Sequence, residues 1–180
     1  MEPYNIIRPL GKIAELKEAQ LNISTVKISI PAGANLILGQ AHFIKTVEDL
    51  YEIVVGIAPH MKFGIAFNEA SGSRLIRIES NDEDLRLSAV QNVSAIGAGH
   101  CFIVLVSNGY PINILNGIKS CPEVVRIFCA TANPVEVVIA ETEQGRGILG
   151  VIDGHSPLGI EKESDIKWRH DLLRNIGYKR

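Results

Sequence analysis

Cysteine is scarce in this sequence, and the cysteines present follow no spacing rule. Cys101, Cys121 and Cys129 are odd in number and form neither a disulfide framework nor paired zinc ligands. We interpret all three as small buried apolar residues. Long apolar runs are also missing, since the longest, 101–106 and 135–140, fall far short of the ~18 residues that a membrane span requires. The sequence therefore predicts no transmembrane helix and no membrane partner.

An excess of charge of one sign is missing as well. The chain has 18 Lys and Arg residues and 20 Asp and Glu residues, which gives a net charge of -2. Binding to a phosphate backbone normally requires a basic field, so we expect no nucleic-acid partner. The first residues, Met-Glu-Pro-Tyr, carry no basic region followed by an apolar stretch and a cleavage site. Secretion is therefore not indicated, and we expect a cytoplasmic protein.

Apolar residues, in contrast, are abundant. They make up 46% of the 180 residues, and the mean hydropathy is +0.15. A monomer that cannot cover its apolar surface buries the remainder against copies of itself, so we expect a homo-oligomer. A chain of this length predicts one domain, and no linker or repeat divides it. We place a lead-in at residues 1–20 and a single domain at residues 21–180.

The periodicity of the apolar residues predicts interspersed strands and helices. Strands are predicted at 26–30, 36–38, 63–67, 74–79, 101–106, 124–130, 135–140 and 147–152, with a hairpin joining 63–67 to 74–79. Helices are predicted at 44–58, at the segment in which Leu85, Ala89, Val93 and Ile96 recur at helical spacing, at 112–118 and at 164–176, with a further short helix at 12–19. Asn81 or Asp82 is the predicted N-cap of the second of these helices, and Gly97 is its left-handed terminator.

This pattern predicts an α/β fold, a single-domain layered sandwich. We expect a mixed β-sheet of seven or eight strands flanked by three or four helices. Continuous apolar strands such as 124–130 indicate burial on both faces of the sheet.

Two glycine-rich segments are similar to nucleotide-binding loops in their residues but not in the order of the strands and helices around them. Gly145-Arg-Gly-Ile-Leu-Gly150 matches GxGxxG, but that fingerprint requires a helix directly after the glycines, and here a strand follows. Gly97-Ala-Gly-His100 lies between a helix and a strand, which reverses the order of a phosphate-binding loop. We therefore reject a dinucleotide fold, and no segment spells a Walker A loop.

Histidines near predicted element ends are candidates for chemistry. His100 follows two glycines and precedes an apolar strand, so a rigid element could present its imidazole to a substrate. The alternative is a helix terminator followed by a strand. His42, Lys45 and Thr46 lie at a predicted helix N-terminus, where unpaired amides and the helix dipole favour an anion. Polar capping with a surface lysine is the alternative there.

Polar residues at predicted turns and strand ends form a second group of candidates. The group comprises Glu69, Ser71, Thr131, Asn133, Arg146 and Asp153. Glu69 is either a solvated carboxylate or a ligand for a ribose hydroxyl or a metal. Thr131 and Asn133 join two apolar strands at a sheet end, where ligands commonly bind, and a plain Asx-Pro turn is the alternative.

Five separate motifs carry a family resemblance. They are GQAHFIKTVED at 39–49, KFGIAFNEASG at 62–72, GAGH at 97–100, ATANPVEV at 130–137 and GRGILGVIDG at 145–154. Together they resemble the adenosine-specific kinase family of archaea and thermophilic bacteria. The motifs span nearly the whole chain after the first strand, and their combination is far more specific than any one of them.

The resemblance implies a compact layered α/β protein that binds adenosine or AMP and assembles as a trimer or higher oligomer. It also implies a histidine that can carry a phosphoryl group, and a neutral imidazole is a competent nucleophile toward the terminal phosphoryl group of ATP. The GAGH motif assigns that role to His100, and His42 is the competitor, or otherwise a substrate-binding residue. Lys45 and Arg146 would then neutralise phosphate charge.

The remaining candidates would bind the substrate. Glu69 or Asp153 would orient a ribose hydroxyl or hold Mg²⁺. Thr131 and Asn133 would read the adenine edge or the ribose, because a polar contact discriminates between bases better than an apolar slot does. Ser71 is placed in the same group.

Three functions stay open at this point. An enzyme would transfer a phosphoryl group from ATP to adenosine through a phosphohistidine. A binding module would be a non-catalytic sensor of AMP or adenosine, with the same cations in its pocket. A scaffold whose polar motifs only cap helices and turns is the third. Multiple turnover with ATP and adenosine would distinguish the first from the other two.

Overall fold

The computed structural model describes residues 20–180, which form eight strands and four helices. In chain order these are β1 (Asn22–Lys27), β2 (Asn35–Ala41), α1 (Thr46–Ile57), β3 (Lys62–Asn68), β4 (Ile76–Ser80), α2 (Glu83–Ile96), β5 (Cys101–Ser107), α3 (Pro111–Ser120), β6 (Val124–Thr131), β7 (Val135–Thr142), β8 (Gly145–Asp153) and α4 (Glu163–Asn175). These numbers of strands and helices confirm the prediction. The short helix predicted at 12–19 lies outside the described residues.

The eight strands divide between two sheets. The five-stranded sheet has the order β4-β3-β5-β2-β6, and the three-stranded sheet has the order β1-β7-β8. All pairings between these strands are antiparallel, and β3 and β4 form the predicted hairpin. The expected mixed sheet is thus replaced by two antiparallel sheets. The reason is that β6 and β7, separated only by residues 132–134, pair with different strands.

The five-stranded sheet is the middle layer of a sandwich. Phe67, Phe102 and Val104 pack on one side with α1 and α3. Leu38 and Ile103 pack on the other side with α2 and the inner face of the three-stranded sheet. This arrangement confirms the predicted layered α/β class, and it buries both faces of the central strand β5.

The prediction that the apolar strand at 124–130 is buried on both faces of the sheet is wrong for β6. Apart from Arg126 and Thr131 its residues are apolar, but it lies at the edge of its sheet, and Val125 and Arg126 are exposed. The pairing of strands decides which of them lies at an edge, and the composition of a single strand does not encode that choice.

Helix α2 begins and ends as the sequence predicts. The carboxylate of Asp82 accepts a hydrogen bond from the N–H of Leu85, and Gly97 ends the helix with a φ of 64°. Only glycine adopts that conformation without a steric penalty. The segment Ala98-Gly99-His100 therefore runs between a fixed helix end and the start of β5.

The chain from Gly145 to Asp153 is a strand, so the letters GxGxxG open a strand and not a helix. The rejection of a dinucleotide-binding loop is confirmed. Among residues 20–180, no helix combines the length and the apolar character needed to cross a membrane.

Candidate functional site

One end of the five-stranded sheet brings together most of the candidate residues. Because neighbouring strands are antiparallel, β2 and β3 end there, and β4, β5 and β6 begin there. The candidates near this end are His42, Lys45, Glu69, Ser71 and His100. Arg146 joins them from the three-stranded sheet, since it forms a β-bridge with Ala98.

His100 has a backbone conformation that few residues other than glycine adopt. Its φ is 61°, which costs about 1 kcal/mol for a residue with a side chain. Its N–H donates to the carbonyl of Asn68 at 2.7 Å, and its own carbonyl accepts from the N–H of Ala41 at 2.9 Å. The half-buried imidazole stacks on the buried ring of Phe67, with ring centroids 5.9 Å apart. Backbone strain of this kind is typical of functional sites.

A cleft of about 710 Å³ opens beside this histidine. Its walls are the end of α2, the β3–β4 turn and the β7–β8 hairpin, and the residues that line it include Glu69, Arg74, Gly97, Gly99, Gln144 and Arg146. Such a volume is within the usual range for a small-molecule site. His100 directly follows the lining residue Gly99 and bonds to another, Asn68, so its backbone lies at the border of the cleft, while its ring packs with Phe67 on the α1 and α3 side of the sheet.

Two arginines make part of this cleft positive. The guanidinium of Arg146 donates to Glu141 at 3.0 Å and to the carbonyl of Ala95 at 3.2 Å, which fixes it at the C-terminal end of α2. Arg74 forms no ion pair with any of residues 20–180. A guanidinium without a carboxylate partner, next to one that is held in place, favours the binding of an anion such as phosphate.

Glu69 supports the turn that carries Arg74. Its carboxylate accepts hydrogen bonds from the N–H of Leu75 at 3.2 Å and from Arg77 at 3.0 Å. The N–H of Leu75 and then the guanidinium of Arg77 lower the pKa of Glu69 below its usual value. Glu69 is therefore a carboxylate at neutral pH, placed on the wall of the cleft.

Lys45 lies in a network with acidic side chains. Its ammonium is paired with the carboxylates of Asp49 and Glu123, the latter at 3.1 Å. Glu123 is buried and also accepts a hydrogen bond from the thiol of Cys121 at 3.1 Å. The sequence predicts an anion site at the N-terminus of α1. In the structure, the carboxylates of Asp49 and Glu123 already provide the negative charge next to Lys45.

The hydrogen bonds of this network shift the pKa values of its members. The thiol of Cys121, followed by the ammonium of Lys45, lowers the pKa of Glu123 to about 2. Burial, followed by the nearby Glu123, raises the pKa of the Cys121 thiol. The hydrogen bonds from Lys45 to Asp49 and Glu123 raise the pKa of the ammonium. At neutral pH Glu123 is therefore charged, and Cys121 is a neutral thiol that donates to it.

Replacing Glu123 with glutamine tests whether this network stabilises the fold. The pKa of Glu123 falls from 4.5 to about 2 on folding, so its contribution is complete above pH 4.5 and is lost as the pH falls toward 2. We expect the Glu123→Gln variant to be less stable than the wild type at pH 7. The difference should shrink as the pH falls below 4.5, which urea denaturation measures. A difference that does not vary with pH would show that the carboxylate charge contributes nothing.

Two further candidates lie near His100 but do not line the cleft. His42 is exposed, and its N–H donates to the carbonyl of Glu123 at 3.0 Å. Ser71 is exposed in the β3–β4 turn, where its carbonyl accepts from the N–H of Arg74 at 3.2 Å. Their observed contacts therefore shape the loops around the site.

The other three candidates lie at the opposite end of the sheet. The N–H of Asn133 donates to the hydroxyl of Thr131 at 3.0 Å, and its side-chain amide donates to Asp153 at 3.1 Å. β2 has seven residues, so the two ends of the sheet are roughly 20 Å apart. Within one chain the structure does not bring these residues to His100. Asn133 borders a second cleft, of about 550 Å³, together with Tyr110.

Three residues at the end of the sheet that carries His100 were missed as site residues by the sequence interpretation. Asn68 donates to the carbonyls of Val93 and Ala98 and so ties β3 to the end of α2. The signal for Arg74 was available, since it is a cation directly after a turn that also carries a candidate carboxylate. No local signal marks Glu123, because its burial depends on helices α1 and α3 lying beside it.

The described residues do not form an all-protein site for the expected Mg²⁺. Asp49, Cys121 and Glu123 offer donor atoms within 4.8 Å of one another. Mg²⁺ prefers an all-oxygen octahedron, and this group contains a thiol and is neutralised by Lys45. Glu69 is bound to Arg77, and Asp153 lies at the far end of the sheet. Mg²⁺ would therefore arrive with the phosphates of ATP, which together with water supply most of its ligands.

Comparison with known proteins agrees with the motif pattern. Residues 26–179 match the sequence profile of a family described as adenosine specific kinase. The chain is also 43% identical to the PH1918 protein from Pyrococcus horikoshii OT3. The crystal structure of that protein aligns with a TM-score of 0.85 over 89% of this chain and 99% of the other. No curated protein gives a match.

Proposed function

The chain belongs to the adenosine-specific kinase family, and from this premise we propose that it transfers the terminal phosphoryl group of ATP to adenosine through His100. The observation that carries the proposal is the position of His100. Its imidazole is held by a strained backbone and by Phe67, and its backbone borders a positive cleft large enough for a nucleotide. A nucleophile held in one orientation reacts faster than a mobile one.

In the first step, the unprotonated ring nitrogen of His100 attacks the γ-phosphorus of ATP. A P–N bond forms, the bond from that phosphorus to the β–γ bridging oxygen breaks, and ADP leaves with the electron pair. In the second step, the 5′ hydroxyl oxygen of adenosine attacks the same phosphorus. The P–N bond breaks, its electron pair returns to the imidazole, which takes up the hydroxyl proton, and AMP leaves.

The two arginines of the cleft would neutralise the charge on the phosphoryl group. Lys45 can reach a phosphate only if its ion pairs with Asp49 and Glu123 break, so Arg74 takes that role beside Arg146. Glu69, on the same wall, would accept a hydrogen bond from a ribose hydroxyl.

Thr131, Asn133 and Asp153 are too far from His100 to contact the same small ligand. A role for them in reading the base therefore requires a second subunit.

Replacing Arg146 with glutamine tests the role of the cations. We expect kcat/KM for ATP to fall about 10- to 100-fold, because a hydrogen bond to a charged group contributes about 1.5–3 kcal/mol. Arg86→Gln is the matched control, since Arg86 of α2 does not line the cleft and, among residues 20–180, forms an ion pair with Glu83 alone. Nearly normal transfer by the Arg146→Gln variant would remove the cation from the mechanism.

A non-catalytic sensor of AMP or adenosine is the second candidate function. It is favoured by the lack, among the described residues that line the cleft, of a carboxylate free of an arginine partner, since Glu69 is paired with Arg77. Formation of AMP over many turnovers from ATP and adenosine would support the kinase. Tight binding of AMP without turnover would support the sensor, and binding at ~100 times the dissociation constant should add about 2.7 kcal/mol of stability.

A further inference from the structure

The C-terminal arm, residues 155–180, carries an apolar helix face that no part of the described chain covers. α4 contains no buried residue, and the indole of Trp168 is 66% exposed. Trp168, Leu172 and Ile176 are four residues apart, so they lie along one side of the helix axis. Leu158 and Ile160, in the segment before α4, are exposed as well.

This arm is attached to the rest of the chain near its end. The ring of Tyr178 packs edge to face on Tyr110, with centroids 6.2 Å apart. An isolated helix of about 13 residues is marginal in water, because most helical stability in proteins comes from the packing of an apolar face. A helix of this length with its apolar face in solvent therefore indicates a partner surface.

The outer face of the three-stranded sheet is a second uncovered apolar surface. Val137 and Ile139 of β7 point into the core, so Glu136, Val138 and Ala140 point outward. The strand register places nine residues on this face in three rows, which are Ile23, Ala140 and Gly147, then Thr25, Val138 and Gly150, then Lys27, Glu136 and Ile152. An antiparallel sheet with one side in water usually presents polar residues there.

This outer face is open. A Cβ atom added at Gly147 or at Gly150 would meet no atom within 4 Å, and Ile23 is 64% exposed. The two charged residues, Lys27 and Glu136, lie opposite each other in the register of β1 and β7, and their charges are of opposite sign, so the face has no net charge. A contiguous apolar surface of this kind marks an interaction site.

We propose that the arm of one copy lies on the outer face of a second copy, so that each copy gives one arm and receives one. A 13-residue helix is about 20 Å long and 10 Å wide, which matches three strands spaced about 4.8 Å apart. Half of the helix surface is about 400 Å², and the sheet face buries about as much. Two copies that exchange arms then bury about 800 Å² each and about 1,600 Å² together, which is the size of a stable interface.

Engineered disulfides test which copy the arm lies on. The three native cysteines are buried, so oxidation joins only cysteines that are introduced on the surface. Two double variants are made, Leu172→Cys with Gly150→Cys and Trp168→Cys with Gly147→Cys. We expect at least one of them to give chains linked to each other on a non-reducing gel. A bond within a single chain, or no bond in either variant, would overturn the proposal.

A charge placed on the outer face tests the same interface without cysteines. Gly150→Arg meets open space within its own chain, so it should fold normally but block the arm of the neighbour. We expect it to raise the dissociation constant of the assembly at least about 100-fold in sedimentation equilibrium. Removal of residues 157–180 should have the same effect. Gly56→Arg, on the exposed side of α1, is the control and should assemble as the wild type does.

A wild type that is monomeric in solution would contradict the proposal. So would an assembly that persists in both the Gly150→Arg variant and the truncated chain.

Discussion

Replacing His100 with alanine is expected to abolish both the phosphoryl group on the protein and the formation of AMP. The purified protein is incubated with γ-labelled ATP and adenosine, and acid-labile label and AMP are followed in the same sample. Loss of the nucleophile removes the step on which both products depend, so the rate should fall by more than about 10³-fold. The Phe67 ring that stacks under the imidazole stays in place in this variant.

Two control variants separate chemistry from folding in this experiment. His42→Ala removes the other histidine at the same end of the sheet and should keep both label and AMP, because no residue adjacent to His42 lines the cleft, whereas His100 directly follows the lining residue Gly99. His100→Asn keeps a residue that tolerates the left-handed backbone, so it should fold as the wild type does and still be inactive. Label and AMP that vanish only in His42→Ala would transfer the role to that residue. AMP formation by the His100→Ala variant at the wild-type rate would end the phosphohistidine proposal.

Replacing Gly64 with alanine is expected to cause the largest loss of stability. Gly64 lies in β3 under α2, and a Cβ there would overlap the backbone of Leu85 and Arg86. Backbone atoms cannot move aside as a flexible side chain can, so α2 would have to shift as a unit. We expect about 3 kcal/mol of destabilisation and a Tm lower by roughly 6–12 °C. Because α2 ends at Gly97, the shift would also displace one wall of the cleft.

The matched control for this prediction is Gly56→Ala. Gly56 is exposed in α1, and a Cβ there would meet nothing within 4 Å. The same chemical change should therefore stabilise the protein by about 0.5–1 kcal/mol, since alanine has less freedom to lose in a helix. Thermal unfolding of both variants measures the contrast. A Gly64→Ala variant as stable as the wild type would show that α2 is free to move on β3.

Local patterns in the sequence predicted the elements and several of their ends. The hairpin of β3 and β4, the cap at Asp82 and the left-handed Gly97 follow from residues within a few positions of one another. The order of helix, glycines and strand around His100 follows in the same way. The strand predicted after the glycines at 145–150 was likewise enough to reject a dinucleotide-binding loop there, and β8 does begin at Gly145. These features depend on backbone conformation and on side-chain spacing, which a short window of sequence specifies.

The candidate site was predicted only in part, because its members come from separate elements. The motifs named Glu69, Arg146 and His100, and the structure places all three in or beside one cleft. They also named Asn133 and Asp153, which belong to the far end of the sheet. Which strand ends meet depends on pairing between residues far apart in sequence.

The sequence by itself determined the kind of elements, their order and the presence of a histidine between a helix terminator and an apolar strand. The tertiary structure decided that β6 is an edge strand, that Lys45 is neutralised by Asp49 and Glu123, and that Arg74 is placed beside Arg146. The physical reason is one of range. Helix caps and strand periodicity are interactions between near neighbours in the chain, whereas edge position, burial and charge pairing are set by contacts between residues from distant parts of it.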